Sequence, residues 1–441
     1  MSLIPETTWA RAGAIFRLAV PVMMTRLGIL MFATIDTLML GRMSADELAY
    51  FAISVPPQVT VITVSYGLFS GTLVLIAQAR GAGRLEEIGH VFKIASAMAL
   101  IVSVFVAWIL LPGEGILNLL GQSPEIAKGG GSALEAFVIG MPAVLLAAVA
   151  STLLEAMSRP RVVLATVVGG LVLKLGLNWW LLEAHGAAGA NLATSIARWA
   201  MYLALLGYIM ATPSISRLGL YTRIARKRRI TIDLLRLGLP SAVSQGLESS
   251  AFGAMAVFAG WLGTQALASY QIALNLVAMA FMMTMGLSTA TSVHVGMAFG
   301  ARRRDAAASA GWLGTWMVML YTVAMGIAFV VFDRQIAAIY AGDPALVAAA
   351  SVAIVIAAFI LLPDGIQGVQ MGALRGFGDV NWPSAMHLVS FWVVTVPLAH
   401  HLAFGRNWGT DGLLWGLVAG LSCASVLLAG RFHLVSRRPL A

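Results

Sequence analysis

Two carboxylates stand in apolar segments where water would not solvate them. Glu248 closes the stretch Ser241 to Glu248, and Asp364 opens Pro363-Asp364-Gly365-Ile366-Gln367. On helices, Ser241, Ser244, Gln245 and Glu248 share a face, as do Asp364, Gln367 and Met371. If Arg236 and Arg375 mark one membrane face, Glu248 lies about 18 Å and Asp364 about 16 Å from it. Two acids at one depth in low dielectric can share a proton or a monovalent cation, because like charges disfavour joint ionisation. That is the chemistry of ion coupling, with H+ or Na+ as the ion and Glu248 and Asp364 as its ligands. The structural alternative is that each acid caps a hydroxyl or pairs with a basic side chain.

A second set lies earlier in the chain. Asp36 stands in Thr34-Ile35-Asp36-Thr37, about 28 Å outward from Arg17, while Lys174 and Asn178 lie about 20 and 26 Å outward from Arg161. An aspartate with an amide and an ammonium at its level is either a further coupling or substrate site, or a fixed Asp36–Lys174 pair that holds helices together. The two readings are compatible. Arg26 and Arg198 are also intramembrane, and pairing with an acid or snorkelling is their expected role. His294 and His387 read as neutral packed rings. Met282, Met283 and Met285 read as gap-fillers, with a plastic binding wall as the alternative.

These residues need long apolar helices to position them. Hydrophobic residues make up 59% of the 441, and charged residues only 11%. A soluble domain carries about 25% charged residues, so much of this surface faces lipid. Apolar runs of the 20 or so residues a span requires recur about twelve times between residues 15 and 431. The net charge of +9 does not indicate nucleic acid, because the basic residues sit in short gaps between spans. The N-terminal stretch lacks the pattern of a cleaved signal peptide. The single cysteine, Cys423, forms no intrachain disulfide or CxxC site and reads as a small core residue.

The chain repeats itself. A shift of 219 places Arg17-Leu18-Ala19-Val20-Pro21 on Arg236-Leu237-Gly238-Leu239-Pro240, Gly67-Leu68 on Gly286-Leu287, and Gly81-Ala82 with Arg84 on Gly300-Ala301 with Arg303. With small changes of offset, Pro124 matches Pro344, and Gly186/Gly189 match Gly409/Gly412. The expected fold is an all-α integral membrane protein of twelve spans in two homologous six-helix lobes, residues 1–215 and 231–441. A basic connector, 216–230, carries Arg217, Arg223, Arg226, Lys227, Arg228 and Arg229. Parallel repeats around a central site are a transporter architecture. Arg80, Arg84, Arg159, Arg161, the connector, Arg302 to Arg304, Arg375, Arg437 and Arg438 fall on one side. Only Arg42, Lys128, Arg334 and Arg406 fall on the other. The positive-inside rule puts both termini in the cytoplasm.

Pro21 followed by Asp36-Thr37 and Gly41-Arg42, the Gly81-x-Gly83-Arg84 loop, Pro240 with Glu248, and Pro363-Asp364-x-x-Gln367 leading to Leu374-Arg375-Gly376 together resemble the multidrug and toxic compound extrusion (MATE) family. The Gly186/Gly189 turn adds to that likeness, which covers about Arg17 to Gly430. It implies two six-helix lobes around a V-shaped cleft, and export of small organic, often cationic, compounds in exchange for Na+ or H+. The expected location is the inner membrane, with no cofactor beyond the coupling ion and a monomer as the default, the oligomeric state being left open. Glu248 with Asp364 is most similar to the NorM branch, where such acids form the cation site of the C-terminal lobe. Asp36 matches the first-helix aspartate of the N-terminal lobe. Gln367, Asn178, Lys174, Gln245 and Met283 are the candidates for contact with substrate, although Lys174 matches no family motif. Its positive charge beside Asp36 works against simple proton coupling there.

The rival reading is a flippase for a lipid-linked head group from the wider superfamily, which Arg26, Lys174 and Arg198 would suit. An enzyme is disfavoured, since no HExxH, GxSxG or close His/Asp set is present. No GxxxxGK[ST] loop implies ATP. Buried acids and a repeat suit alternating access better than a passive channel.

Overall fold

Capping residues and helix-ending turns punctuate the apolar runs at the repeat-matched positions. The computed structural model describes residues 7–213, 218–223 and 227–437, and among these every regular element is helical. Arg217, Arg226 and Arg438 lie outside the described residues.

The first half comprises α1 (Thr8–Met43), α2 (Ala45–Gly81), α3 (Leu85–Leu110), the short α4 (Gly113–Leu119), α5 (Pro124–Ala156) and α6 (Pro160–Ala211). The second comprises α7 (Lys227–Trp261), α8 (Thr264–Gly300), α9 (Arg304–Val331), the short α10 (Asp333–Tyr340), α11 (Pro344–Phe377), α12 (Asn381–Gly405) and α13 (Gly409–Arg437). Ten of these helices are long and apolar enough to cross a membrane. Two further expected spans escape that criterion for physical reasons. The 52-residue α6 is two helices joined at Gly186, whose φ of 53° and ψ of −130° break the spiral. The 35-residue α7 carries Ser241, Ser244, Gln245, Glu248, Ser249 and Ser250, which lower its hydropathy. Along α3, Leu100, Ile101, Val104, Phe105 and Trp108 form one exposed apolar face while Ser103 is buried, as expected where the outer solvent is lipid.

The repeat extends to the backbone. Ser123 and Asp343 cap α5 and α11, each just before the matched prolines Pro124 and Pro344. Among the helix ends that turn through a left-handed residue, two pairs are repeat-matched: Gly83 and Arg302 by the shift of 219, and Ser158 and Gly378 by 220. Each has the same pair of hydrogen bonds, such as Arg84 N to Ala79 O and Arg303 N to Ala298 O. Gly186 and Gly409 share a positive φ, 53° and 56°. Three residues beyond each, a glycine meets the helix before the turn. Gly189 abuts the Leu181 carbonyl, and a Cβ on Gly412 would lie 2.6 Å from Ala403 N. Gly416 and Gly420 continue that contact onto Ala399 and Thr395, a small-residue seam between α12 and α13.

The chain divides into two compact units. One is Met24–Ala242; the other joins the chain up to Met23 to the chain from Val243. The two cuts, after Met23 and after Ala242, are themselves 219 residues apart. Within the first unit Gly67 of α2 admits the α7 backbone at Ala242. Within the second, Gly286 of α8 admits the α1 backbone at Met23. A Cβ at either glycine would come within 2.7 Å of backbone, so these matched glycines permit matched helix crossings. The described part of the connector lies against α3. Gly89 N donates to Leu218 O at 2.8 Å, and Lys93 Nζ to Thr222 O at 2.5 Å.

Candidate functional site

In the unit containing Val243 onward, α7 and α11 bring Glu248 and Asp364 to a shared residue, Gln367. Its Nε2 donates to Glu248 Oε1 at 3.0 Å and to Asp364 Oδ1 at 3.2 Å. Asp364 and Gln367 are buried and Glu248 half-buried. The sequence places Asp364 and Gln367 one turn apart, so α11 alone fixes both, and α7 supplies the third member. One amide has two protons to offer against several carboxylate lone pairs, so the pair of acids is under-satisfied by protein donors. Gln367 Oε1 also has no hydrogen-bond partner among the described residues. Arg375 of α11 acts on Glu248 through its charge. Two acids and an amide oxygen in apolar surroundings, with one guanidinium to offset them, suit a single added proton or monovalent cation. Among the described residues no three or more His, Cys, Asp or Glu side chains gather as a metal site.

Gln245, one turn before Glu248 on α7, and Met283 on α8 are half-buried. Ser244 Oγ meets His387 Nδ1 at 2.8 Å, and the His387 ring packs edge-on against Phe391. His387 is thus a buried packed ring, as expected. His294 Nδ1 lies 2.9 Å from Ala290 O in its own helix.

The other unit assembles Asp36, Lys174 and Asn178, all buried. Lys174 Nζ donates to Asp36 Oδ2 at 2.6 Å, to Thr194 Oγ1 at 2.7 Å and to the Phe32 carbonyl at 2.7 Å. Asn178 Nδ2 donates to Asp36 Oδ1 at 2.8 Å. The depth comparison that put Asp36 level with Asn178 thus corresponds to a contact. The break at Gly186 supplies the rest, because it folds the second part of α6 back so that Thr194 reaches Lys174. Glu47 holds that break: its Oε2 accepts from Ala187 N at 2.6 Å, capping the returning helix.

Arg198 places its guanidinium carbon 4.6 Å from the Phe32 ring centroid, a cation–π contact. Arg26 finds an acid, Glu155, at 3.7 Å. Glu155 is buried, and neither of its carboxylate oxygens has a hydrogen-bond partner among the described residues. Sequence reading missed Glu155 and Thr194. Glu155 stands four residues before Arg159 and so resembles a loop-side acid, and a threonine in an apolar helix carries no signal of its own. Asp379, which binds Arg431 Nε at 2.6 Å, was likewise silent.

Comparisons with known proteins identify the family and the fold. The MatE family model matches residues 21–180 and 240–400, two segments that begin at the repeat-matched Pro21 and Pro240. A probable multidrug resistance protein NorM of Caulobacter vibrioides is 33% identical over 431 residues, covering 96% of this chain and 92% of that protein. The multidrug resistance protein PmpM of Pseudomonas aeruginosa is 31% identical over 444 residues, with 97% and 92% covered. Among solved structures, the eukaryotic MATE transporter AtDTX14 superposes with a TM-score of 0.89 at 19% identity, covering 98% of both chains. A MOP-superfamily transporter from Pyrococcus furiosus gives 0.87 at 20% identity, covering 97% of each. With twelve expected spans, two matched six-span halves, a family model across most of its length and relatives above 30% identity, the chain belongs to the MatE family of membrane transporters, as a NorM-like member.

Proposed function

We propose that this protein is a secondary active multidrug exporter, working by alternating access and exchanging organic, often cationic, compounds for H+ or Na+. The observation that carries this reading is the Glu248–Gln367–Asp364 set: two acids in apolar surroundings share one amide donor, and an acceptor oxygen beside them is unpartnered. The exchange ion is taken up there. Its arrival neutralises the charge that would hold a cationic substrate, so ion and substrate bind in alternation. Gln367, Gln245 and Met283 stand on the substrate side of that exchange in the C-terminal lobe, with Asn178 and Lys174 in the N-terminal lobe, where Asp36 is the acid. The names of the relatives, multidrug resistance proteins, support the efflux reading. The inner membrane, cytoplasmic termini and a monomeric protein complete it.

A flippase for an anionic head group would need free basic side chains. Lys174 is tied to Asp36, Arg26 faces Glu155, and Arg198 stacks on Phe32, which favours the exporter. The test is efflux of ethidium from proteoliposomes under separately imposed Na+ and H+ gradients, for wild type, Glu248→Gln and Asp364→Asn. Transport driven by one gradient in the wild type and lost in both variants supports the proposal. A wild type inert under either gradient overturns the exporter; gradient-driven transport that survives in both variants overturns the site.

A further inference from the structure

The surroundings of Lys174 have the composition of an ion site. A lysine ammonium has three protons and no acceptor. All three of its protons have short partners: a carboxylate oxygen of Asp36, a hydroxyl of Thr194 and the main-chain carbonyl of Phe32. One carboxylate, one hydroxyl and one carbonyl are the oxygens that a dehydrated monovalent cation would gather. Lys174 is 0% exposed and Asp36 2%, so neither charge is shared with solvent. The Phe32 ring centroid lies 5.0 Å from Nζ and adds its face to the cation's surroundings. The remaining Asp36 oxygen, Oδ1, is occupied by Asn178. The other charged group at this cluster, Arg198, shares the Phe32 ring and is itself positive, so it does not compete for the ammonium.

Glu248 and Asp364 present the opposite picture. Two acids share one amide donor, and the one positive charge acting on them, that of Arg375, reaches Glu248 electrostatically. One lobe therefore sets two acids against a single guanidinium and a shared amide, and the other contains one acid in direct contact with its own ammonium.

We infer that Lys174 is a tethered replacement for the coupling cation at Asp36, leaving the N-terminal lobe permanently loaded and assigning ion exchange to Glu248 and Asp364 alone. This rests on the exporter reading above but concerns which acids exchange ions, so it is tested by binding. An ion entering from solvent must displace an ammonium held by the chain itself, at very high effective concentration. Removing the ammonium should expose a monovalent cation or proton site at Asp36.

The experiment uses full-length purified protein carrying Glu248→Gln and Asp364→Asn, which silences the other lobe. Radioactive Na+ binding and proton uptake, the latter with a pH indicator, are measured with and without Lys174→Asn. The expected result is no cation binding in the background protein, and a gain of one Na+ or one proton per chain on Lys174→Asn. That gain should vanish when Asp36→Asn is added. A folded Lys174→Asn protein, monodisperse and helical by circular dichroism, that gains nothing would overturn the inference. So would a background protein that already binds an ion in an Asp36-dependent way. If Lys174→Asn does not fold, Asp36→Asn alone decides. With Glu248 and Asp364 intact it should leave the ion stoichiometry unchanged, and a drop by one overturns the inference. Failure of ethidium efflux would sink the exporter without altering these binding counts.

Discussion

At the scale of single residues, the buried charges differ in how completely they are paired. Lys174 uses every donor it has, whereas Arg26 stands 3.7 Å from Glu155 with its Nε unpartnered and both Glu155 oxygens without a hydrogen bond among the described residues. A long-range pair of this kind contributes little net stability, but it neutralises two charges that neither lipid nor core would tolerate alone. Arg26→Met leaves Glu155 uncompensated and is expected to cost about 3 kcal/mol, while Arg26→Met with Glu155→Met removes both charges and restores most of that. Thermal unfolding in detergent checks this, and a double variant as unstable as Arg26→Met alone would show that the two charges do not compensate each other. The sequence made Asp36, Lys174, Asn178, Glu248, Asp364 and Gln367 legible because an ionisable or amide group in a span is itself anomalous. It left Glu155 and Thr194 dark: the acid sits near a helix end where acids are ordinary, and a hydroxyl can satisfy itself on its own helix.

Among the elements, span count and approximate position could be read from apolar length, because each run ends near a turn signal or a basic gap. What could not be read is the departure from regular geometry inside the spans. In α12 the backbone widens into π-helical turns over Val389–Thr395 and His401–Gly405, and Thr395 Oγ1 donates five residues back to Ser390 O at 2.9 Å. That widening sits where Gly416 and Gly420 of α13 press against Ala399 and Thr395, so it is a tertiary effect without a local sequence code. The breaks at Gly186 and Gly409 were legible as glycines but not as unequal ones. A Cβ at Gly409 meets open space, whereas one at Gly186 collides with the Glu47 carboxylate that caps Ala187. Gly409→Ala should therefore cost only backbone strain, about 1–2 kcal/mol at positive φ. Gly186→Ala should cost that and the cap together, about 2–4 kcal/mol. Melting temperatures of the two variants test the difference, and equal losses would mean that Glu47 does not hold the break.

For the molecule as a whole, duplication built the scaffold but not the chemistry. The shift of 219 carries glycine crossings, helix ends and capping sites from one half to the other, yet it places Asp36 on Met255 and Glu248 on Ile29. The shift of 220 places Glu155 on Arg375. The two halves thus share backbone and divide their charges. The same scaffold fixes a topology that can be measured. The turns at Arg84 and Arg302 end matched helices and fall on the basic side, while Lys128 and Arg406 fall on the sparsely charged side, and all four are exposed. The positive-inside rule assigns the first pair to the cytoplasm. With Cys423 replaced by serine, a single cysteine introduced at Lys128 or Arg406 should react with a membrane-impermeant maleimide in intact cells. One at Arg84 or Arg302 should react only after permeabilisation. The reverse pattern would invert the protein in the membrane and overturn the assignment of the basic side to the cytoplasm.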